Sequence, residues 1–190
     1  MKIDYENSKL TDFLYIEKSA ISEEICNSVI DYIKNQPWQM HSWYSQTTDS
    51  HHSHETKELD VTKCISKDLA DAIYPCVNKS LRNFVNKGHR PELNFLTDIR
   101  FNRYQKGQIM RKHCDHIHDM FEGDVKGIPT LSILIGLNDD YEGGELIFWD
   151  DYEVDLGKGD ILIFPSLFLF PHRVEEVKEN IRYSAVIWAC

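Results

Sequence analysis

The sequence predicts a mainly β protein with helices on its N-terminal side, and two observations lead to this fold class. From residue 97 onward, eight short segments rich in Ile, Leu, Phe and Tyr alternate with turn-forming stretches such as "NDDYEGG", "LGKGD" and "KEN". Before residue 97, apolar residues instead recur at helical spacing. Eight consecutive strands without an intervening helix imply an antiparallel sandwich or barrel.

Two helices are predicted in the N-terminal part. The segment "SEEICNSVIDYIKNQP" has Ser22 as an N-cap, acids in its first turn and a proline just past its end. A second helix is predicted over residues 66–85, where Pro75 should kink or split it. The apolar stripes that should face a core are Ile25, Val29, Ile30 and Ile33 in the first helix and Leu69, Ile73, Val77, Leu81 and Phe84 in the second. Residues 38–58 between them form a long polar loop, which indicates a lid, a binding loop or disorder.

Composition limits the domain count and the partners. A chain of 190 residues with 42% hydrophobic residues can bury one core, so we expect one domain, 1–190, with helical support and a lid loop in 1–96 and a β core in 97–190. The net charge of −10 argues against a nucleic-acid partner. The apolar runs are too short for a membrane span, and no signal peptide is expected. Five cysteines at irregular spacing indicate reduced thiols in a cytoplasmic protein.

The stretch "RKHCDHIHDM", residues 111–120, concentrates side chains that bind metals. Side chains two apart on a strand share a face, so His113 and Asp115 should point the same way. His116 and His118 are interpreted as a surface pair. The cluster "HHSH" at residues 51–54 is interpreted as part of a polar loop rather than as a metal site.

Four of the predicted strands should line a polar cavity together with His113 and Asp115: the last two, which carry His172 and Arg182, and the earlier "RFNRY" and "TLSILIGL". A turn centred near Val177 would place Arg182 roughly opposite His172. In "TLSILIGL" one face is mixed in polarity and the other is wholly aliphatic, and "RFNRY" carries three polar or aromatic side chains on one face. The residues on these two cavity faces are Thr130, Ser132, Leu134 and Gly136 on the first strand and Arg100, Asn102 and Tyr104 on the second, with Arg100 and Asn102 as candidate substrate contacts.

Such a cavity suits a particular metal and ligand. Two imidazoles and one carboxylate form the facial triad of non-haem Fe(II), which leaves three positions open. Fe(II) with Asp115 carries one positive charge, and a bound dicarboxylate turns this into one negative charge. Arg182 would then restore neutrality in a low-dielectric interior.

The segment from "RYQKGQIMRKHCDHIHD" through "LSILIGLNDDYEGGELIFW" to "FPHRVEEVKENIRYSAVIWA" resembles the 2-oxoglutarate/Fe(II) dioxygenases, especially their prolyl 4-hydroxylase-like, PKHD-type branch. The family pattern is His-x-Asp, a distal His, and an Arg or Lys about ten residues later. His113, Asp115, His172 and Arg182 satisfy it in order, and the resemblance covers residues 97–189.

The resemblance implies a double-stranded β-helix, or jelly roll, of eight antiparallel strands. It implies that His113, Asp115 and His172 bind Fe(II) and that Arg182 binds 2-oxoglutarate. Tyr104 and Ser132 would assist Arg182, and Trp188 would line the same pocket. The implied cofactors are Fe(II), 2-oxoglutarate and O2, with ascorbate as reductant. Met110 and Gly136 depart from the family pattern, because some members have tyrosine at these positions.

Three functions are compatible with these residues. The first is hydroxylation of a prolyl residue in a peptide or protein, coupled to decarboxylation of 2-oxoglutarate to succinate and CO2; the aromatics Trp38, Trp43 and Tyr44 suit an extended peptide. The second is oxygenation of a free amino acid, another small molecule or an alkylated base, the last disfavoured by the acidic charge. The third is a non-enzymatic, cupin-like metal-binding module, which leaves Arg182 unexplained.

Overall fold

The computed structural model describes residues 6–45, 50–52, 57–88, 91–115 and 129–190. A 3-10 turn, Leu10–Phe13, precedes two α-helices, α1 (Glu23–Ile33) and α2 (Lys67–Asn86). The strands are β1 (Tyr15–Glu17), β2 (Gln39–Met40), β3 (Trp43–Ser45), β4 (Ser50–His52), β5 (Asp60–Lys63), β6 (Arg100–Tyr104), β7 (Met110–His113), β8 (Leu131–Gly136), β9 (Glu142–Gly143), β10 (Leu146–Phe148), β11 (Tyr152–Val154), β12 (Ile161–Pro165), β13 (His172–Val174), β14 (Val177–Glu179) and β15 (Arg182–Ala189).

Two antiparallel sheets form the body of the fold. The larger sheet has the strand order β1-β12-β8-β15-β6-β5-β2, and the smaller has the order β11-β10-β13-β7. All eight strands predicted after residue 97 are present and belong to these two sheets. The fold class is therefore confirmed as mainly β with N-terminal helices, in the double-stranded β-helix arrangement.

One core lies between the larger sheet and the helices. The hydroxyl of Ser22 accepts the backbone N–H of Ile25 and starts α1, as predicted. The buried members of this core come from both helices and from alternate positions of the sheet: Val29, Ile33, Ile73, Val77, Phe84, Phe101, Ile133, Ile135, Ala185 and Ile187. The aliphatic face predicted for β8 is thus the face that packs against the helices.

A second core lies between the two sheets and surrounds a cavity. Its buried members include Leu59, Leu146, Phe148, Leu162, Phe164 and Val174. Because alternate residues of a strand face opposite sides, the strands that bury aliphatic side chains beneath the helices turn their remaining side chains toward this second layer. The cavity is therefore built into the sandwich itself.

The N-terminal part differs from expectation in three ways. It contributes β1, β2 and β5 to the larger sheet, although only helices and a loop were predicted there. α2 is a single helix that contains Pro75, so of the predicted kink or split, the split is wrong; burial of Ile73 and Val77 offsets the lost backbone hydrogen bond. Trp38, expected in a lid, packs against the helix-side core, where its indole donates to the carbonyl of Ile33.

Two further expectations concern membranes and thiols. None of the described helices combines the length and the apolar character needed to cross a bilayer. The five cysteines are free thiols, as their spacing predicted: Cys26, Cys64, Cys76, Cys114 and Cys190.

Candidate active site

Two histidines and one aspartate meet at the smaller sheet. β7 and β13 are antiparallel neighbours in which His113 and His172 are paired residues. Asp115 follows β7 closely, and its Oδ1 lies 3.2 Å from Nε2 of His113 and 3.5 Å from Nε2 of His172. The structure therefore brings together the three side chains that the sequence grouped.

Backbone carbonyls orient both imidazoles. Nδ1 of His113 lies 2.7 Å from the carbonyl oxygen of Arg111, and Nδ1 of His172 lies 3.1 Å from that of Phe170. A carbonyl oxygen can only accept, so each Nδ1 carries the proton and donates it. Both Nε2 atoms therefore face Asp115, which is the arrangement of histidines that bind a metal through Nε2.

Burial and charge oppose each other in this cluster. Desolvation lowers the pKa of His172 to about 4, against the charge of Asp115, so this imidazole is neutral at pH 7. Burial also disfavours protonated His113, but the hydrogen bond to Asp115, the charge of Asp115 and the hydrogen bond to the Arg111 carbonyl together outweigh it and raise the pKa of His113. Burial would raise the pKa of Asp115, yet the two histidines outweigh it and hold that pKa well below its usual range. The cluster offers an ionised carboxylate, and a bound dication would displace the proton from Nε2 of His113 while Nδ1 keeps its own.

The geometry fits a divalent transition metal. Two imidazole nitrogens and one carboxylate oxygen form the ligand set of non-haem Fe(II). Metal–ligand bonds of about 2.1 Å at right angles place neighbouring ligand atoms roughly 3 Å apart. The separations of 3.2 and 3.5 Å found here are close to that value. His113, Asp115 and His172 therefore fit Fe(II) with little rearrangement.

Two residues of the larger sheet support the Asp115 carboxylate. The indole Nε1 of Trp188 donates to Asp115 Oδ2 at 3.1 Å. A hydrogen bond from Ser132 also lowers the pKa of Asp115, and the hydroxyl of Ser132 lies 2.8 Å from that of Ser166. Neither Trp188 nor Ser132 is among the residues that line the cavity. Both residues, which the sequence predicts at the cosubstrate, contact the Asp115 carboxylate.

A buried arginine lies on the larger sheet. Arg182 is 4% exposed, and its guanidinium carbon lies 4.9 Å from the centroid of the Tyr104 ring and 5.9 Å from that of Tyr141. Its hydrogen bond to the hydroxyl of Ser184 is long, at 3.4 Å, and its Nε has no partner among the described residues. Because a buried cation without an anion is unfavourable, this end of the cavity suits an anionic ligand.

Gly144, in the predicted "YEGGEL" turn, leaves room for Arg182. Its φ is +69°, and a Cβ built there would lie 2.9 Å from Cδ of Arg182 and 3.0 Å from Cγ2 of Val177. Glycine is therefore required both by the backbone conformation and by the space that the arginine occupies.

One cavity joins the metal-binding cluster to Arg182. About 440 Å³ of space lies within its lining, a volume that includes solvent at its open mouth. Its lining comes from both sheets and from the segment before β5: Leu59, Arg100, Asn102, Tyr104, Met110, His113, Asp115, Leu134, Leu146, His172, Val174, Arg182, Ser184 and Val186. Apolar and polar side chains contribute about equally to this wall, and the polar groups would contact a ligand that spans the cavity.

The predicted hairpin between His172 and Arg182 is wrong. Between them, β14 pairs with β9 instead, and Asn180, at a φ of +62°, follows it before the chain joins the larger sheet. His172 pairs with His113 in one sheet, whereas Arg182 pairs with Tyr104 in the other. Both residues nevertheless line the cavity, one from each sheet.

The two departures from the family pattern have different surroundings. Met110 lines the cavity, so its thioether occupies space that a tyrosine would fill. At Gly136, a Cβ would lie 2.2 Å from the carbonyl oxygen of Gly157, so the backbone excludes any side chain there.

A polar network beside the cavity was missed from the sequence. Glu58 is 7% exposed; its Oε1 lies 3.2 Å from Nε of Arg111, and its Oε2 lies 3.1 Å from Nδ1 of His41. Leu59, next to it, lines the cavity. The alternation in "ELDVTK" could have predicted β5, because Leu59 and Val61 face the second core while Asp60 lies on the other face.

Several predictions fall outside what the structure describes. His116 and His118 lie outside the described residues, as do residues 53 and 54 of the "HHSH" cluster. The side chains of Trp43 and Tyr44 are also outside it.

Comparison with known proteins identifies the C-terminal half. Residues 99–190 match the family model described as the 2OG-Fe(II) oxygenase superfamily. Residues 99–190 belong to that superfamily. This oxygenase segment contains the His113, Asp115, His172 and Arg182 set described above.

Sequence relatives of the oxygenase segment are hydroxylases. A PKHD-type hydroxylase of Hyphomonas neptunium is 43% identical over 96 residues, which cover 47% of this chain and 41% of that protein. A PKHD-type hydroxylase of Delftia acidovorans is 34% identical over 95 residues, with the same two coverages. The chain thus matches about two fifths of the length of these curated relatives.

Solved structures of prolyl hydroxylases share the fold of nearly the whole chain. A prolyl hydroxylase of Trichoplax adhaerens, solved with a peptide fragment of a hypoxia-inducible factor, has a TM-score of 0.73 at 14% identity and covers 94% of this chain and 84% of that one. A prolyl-4-hydroxylase of Pseudomonas putida has a TM-score of 0.65 at 18% identity and covers 93% and 91%. At these identities the likeness establishes the fold.

Proposed function

We propose that the chain is an Fe(II)- and 2-oxoglutarate-dependent dioxygenase. His113, Asp115 and His172 would hold Fe(II), and Arg182 would bind the distal carboxylate of 2-oxoglutarate with Tyr104 against its guanidinium. One observation carries this proposal: a two-histidine, one-carboxylate cluster shares a cavity with a buried arginine whose Nε has no partner among the described residues.

The bound metal and cosubstrate would supply oxidative chemistry, in which O2 gives one oxygen atom to succinate and the other to the substrate as a hydroxyl group, with release of CO2. The chain's own residues prepare the site for this. Trp188 fixes Asp115, and the carbonyls of Arg111 and Phe170 fix the two imidazoles. We propose ascorbate as the reductant that keeps the iron ferrous.

We further propose a prolyl residue within a peptide or protein as the substrate. The proposal is supported by the PKHD-type hydroxylases among the sequence relatives and by the prolyl hydroxylases that share the fold. It also requires that residues 1–96 and 97–190 act as one unit. In agreement with this, strands from the N-terminal part pair within the larger sheet.

A free amino acid or another small molecule is the second candidate. A second arginine in the cavity, Arg100, favours it, because a small substrate with its own carboxylate would fit beside such a residue.

The decisive experiment follows succinate formation with Fe(II), 2-oxoglutarate, O2 and a set of proline-containing peptides. We expect succinate only when Fe(II) and 2-oxoglutarate are both present, and none from Asp115→Ala, which removes the only anionic ligand. Asp151→Ala, at an exposed position, is the matched control and should keep full turnover. Near-normal turnover in Asp115→Ala, or equal turnover with Zn(II) or Ca(II), would contradict the proposal.

A further inference from the structure

A second arginine faces the cavity. Arg100 is the first residue of β6 and lines the cavity together with Asn102 and Tyr104 on the same strand face. Its guanidinium carbon lies 4.7 Å from the centroid of the Trp188 ring, and its buried Nε has no partner among the described residues. The same indole donates to Asp115, which places Arg100 at the metal end of the cavity.

Arg100 and Arg182 serve different ends of the cavity. In the paired strands, Arg182 lies opposite Tyr104 and Arg100 lies opposite Val186. Four residues along a strand correspond to about 13 Å. The two guanidinium groups also contact different rings, that of Arg100 the ring of Trp188 and that of Arg182 the ring of Tyr104. Under the proposed function, Arg182 takes the distal carboxylate of 2-oxoglutarate and Arg100 is left for another group.

Neighbouring ion pairs provide no anion for Arg100. Arg103, on the opposite face of β6, is paired with Asp60 at 2.8 Å. Arg111 is paired with Glu58 at 3.2 Å. Among the described residues that line the cavity, the remaining anion is Asp115, which is engaged by both histidines and by Trp188.

Counted over the described residues, the charges of the loaded site leave one cation uncompensated. A dication, the Asp115 carboxylate, dianionic 2-oxoglutarate and Arg182 together have no net charge. Arg100 then adds one positive charge inside a low-dielectric cavity, which is unfavourable unless another anion enters. This count assumes the Fe(II) and 2-oxoglutarate of the proposed function, so the inference rests on that function.

Asn102 indicates what else the ligand carries. This side chain is 3% exposed, lines the cavity, and has an Oδ1 without a partner among the described residues. A buried acceptor of this kind needs an N–H or O–H group. Among the described residues, the cavity offers neither an anion nor a hydrogen-bond donor to these two side chains of β6, and a substrate that carries both groups would satisfy them.

We propose that Arg100 binds a carboxylate of the primary substrate, next to the carbon that is hydroxylated, and that Asn102 accepts a hydrogen bond from the same molecule. The carboxylate has two possible sources in a prolyl substrate. It is either the terminal carboxylate of the target residue or the side chain of a neighbouring acidic residue.

Two pairs of peptides separate these sources, each measured by calorimetry on protein loaded with Mn(II) and 2-oxoglutarate without O2. The first pair is N-acetyl-Gly-Gly-Pro as the free acid and as the amide. The second pair is N-acetyl-Gly-Pro-Asp-Gly-amide and the same peptide with Asn in place of Asp. We expect the acid of one pair to bind at least about thirtyfold more tightly than its neutral partner.

Variants test whether Arg100 causes that preference. Arg100→Met should abolish it and Arg100→Lys should keep part of it, while 2-oxoglutarate affinity stays within about threefold of wild type. Arg103→Gln removes an arginine from the other face of the same strand and should keep the full preference. The peptide comparison on wild type stands even if Arg100→Met does not fold.

Two results would overturn the inference. One is equal binding of acid and neutral peptide in both pairs by wild type. The other is a loss of 2-oxoglutarate affinity in Arg100→Met as large as in Arg182→Met, which would assign Arg100 to the cosubstrate. A wild-type protein that binds no 2-oxoglutarate at all would instead refute the proposed function.

Discussion

Replacing Arg182 by methionine should affect stability and cosubstrate binding in opposite directions. Without ligand, the guanidinium is 4% exposed, has one hydrogen bond of 3.4 Å, and has an Nε without a described partner. A buried donor without a partner costs about 1–3 kcal/mol, and the contact with the Tyr104 ring offsets about 0.5–2 kcal/mol of this. Methionine has similar length and no charge. The free energy of unfolding of ligand-free Arg182→Met should therefore equal that of wild type or exceed it by up to about 2 kcal/mol.

With 2-oxoglutarate present, wild type should instead have the higher free energy of unfolding. A buried carboxylate that loses its charged partner costs about 2–5 kcal/mol, so affinity should fall roughly thirty- to several-thousandfold. At a hundred times the wild-type Kd, ligand stabilises wild type by about 2.7 kcal/mol. A variant with hundredfold weaker binding would gain only about 0.4 kcal/mol at the same concentration. Arg182→Lys should lie between the two, because it keeps the charge but loses the planar fork.

Urea unfolding with Mn(II), with and without 2-oxoglutarate, measures both effects, and calorimetry gives the Kd directly. Arg103→Met is the matched control, since its guanidinium is paired with Asp60 at 2.8 Å. That variant should lose stability and keep its 2-oxoglutarate affinity. An unchanged Kd in Arg182→Met would refute the assignment of the anion site, and a ligand-free loss of more than about 2 kcal/mol would refute the burial argument.

Three further predictions follow from single contacts. Trp188→Phe keeps an aromatic ring but removes the N–H that donates to Asp115. The affinity for Mn(II), measured by calorimetry, should therefore fall about 10–100-fold. An unchanged affinity would contradict the role of that hydrogen bond. Gly144→Ala and Gly107→Ala both place alanine at positive φ, which should lower the free energy of unfolding by about 1–2 kcal/mol in each. Only the alanine at 144 would contact Arg182, so only Gly144→Ala should weaken 2-oxoglutarate binding. Equal affinities in the two variants would exclude the steric argument. Burial raises the pKa of Glu17, but hydrogen bonds outweigh it and hold that pKa below the ordinary 4.5, so this group stabilises the fold above that pH and the stabilisation is lost as pH falls below it. The free energy of unfolding of wild type should therefore fall more steeply than that of Glu17→Gln as pH drops below 4.5. The same pH dependence in both proteins would refute this.

The strands and the residues that share their faces could be predicted from the sequence because alternation is a local pattern. Period-two alternation decides which side chains share a face, so the aliphatic face of β8 and the polar face of β6 followed directly. The order of His113, Asp115, His172 and Arg182 added a long-range constraint that alternation cannot provide.

Strand pairing was less accessible, because it depends on partners distant in sequence. The chain between His172 and Arg182 suggested a hairpin, yet β14 pairs with β9 and the two residues enter different sheets. Likewise, β1 is three residues long and is defined by pairing with β12, which a local pattern does not reveal. The alternative that Pro75 splits the second helix was wrong, because packing of the surrounding helix face outweighs local propensity.

The order of the three proposed metal ligands along the chain decides when the site can be completed during synthesis. Asp115 and His172 are 57 residues apart, and a ribosome adding about 5–20 residues per second needs roughly 3–11 seconds to cover that interval. During this time the nascent chain holds only His113 and Asp115 of the three, and β7 still awaits the strand that supplies His172. A metal ion would therefore find all three proposed ligands together only after β13 has paired with β7.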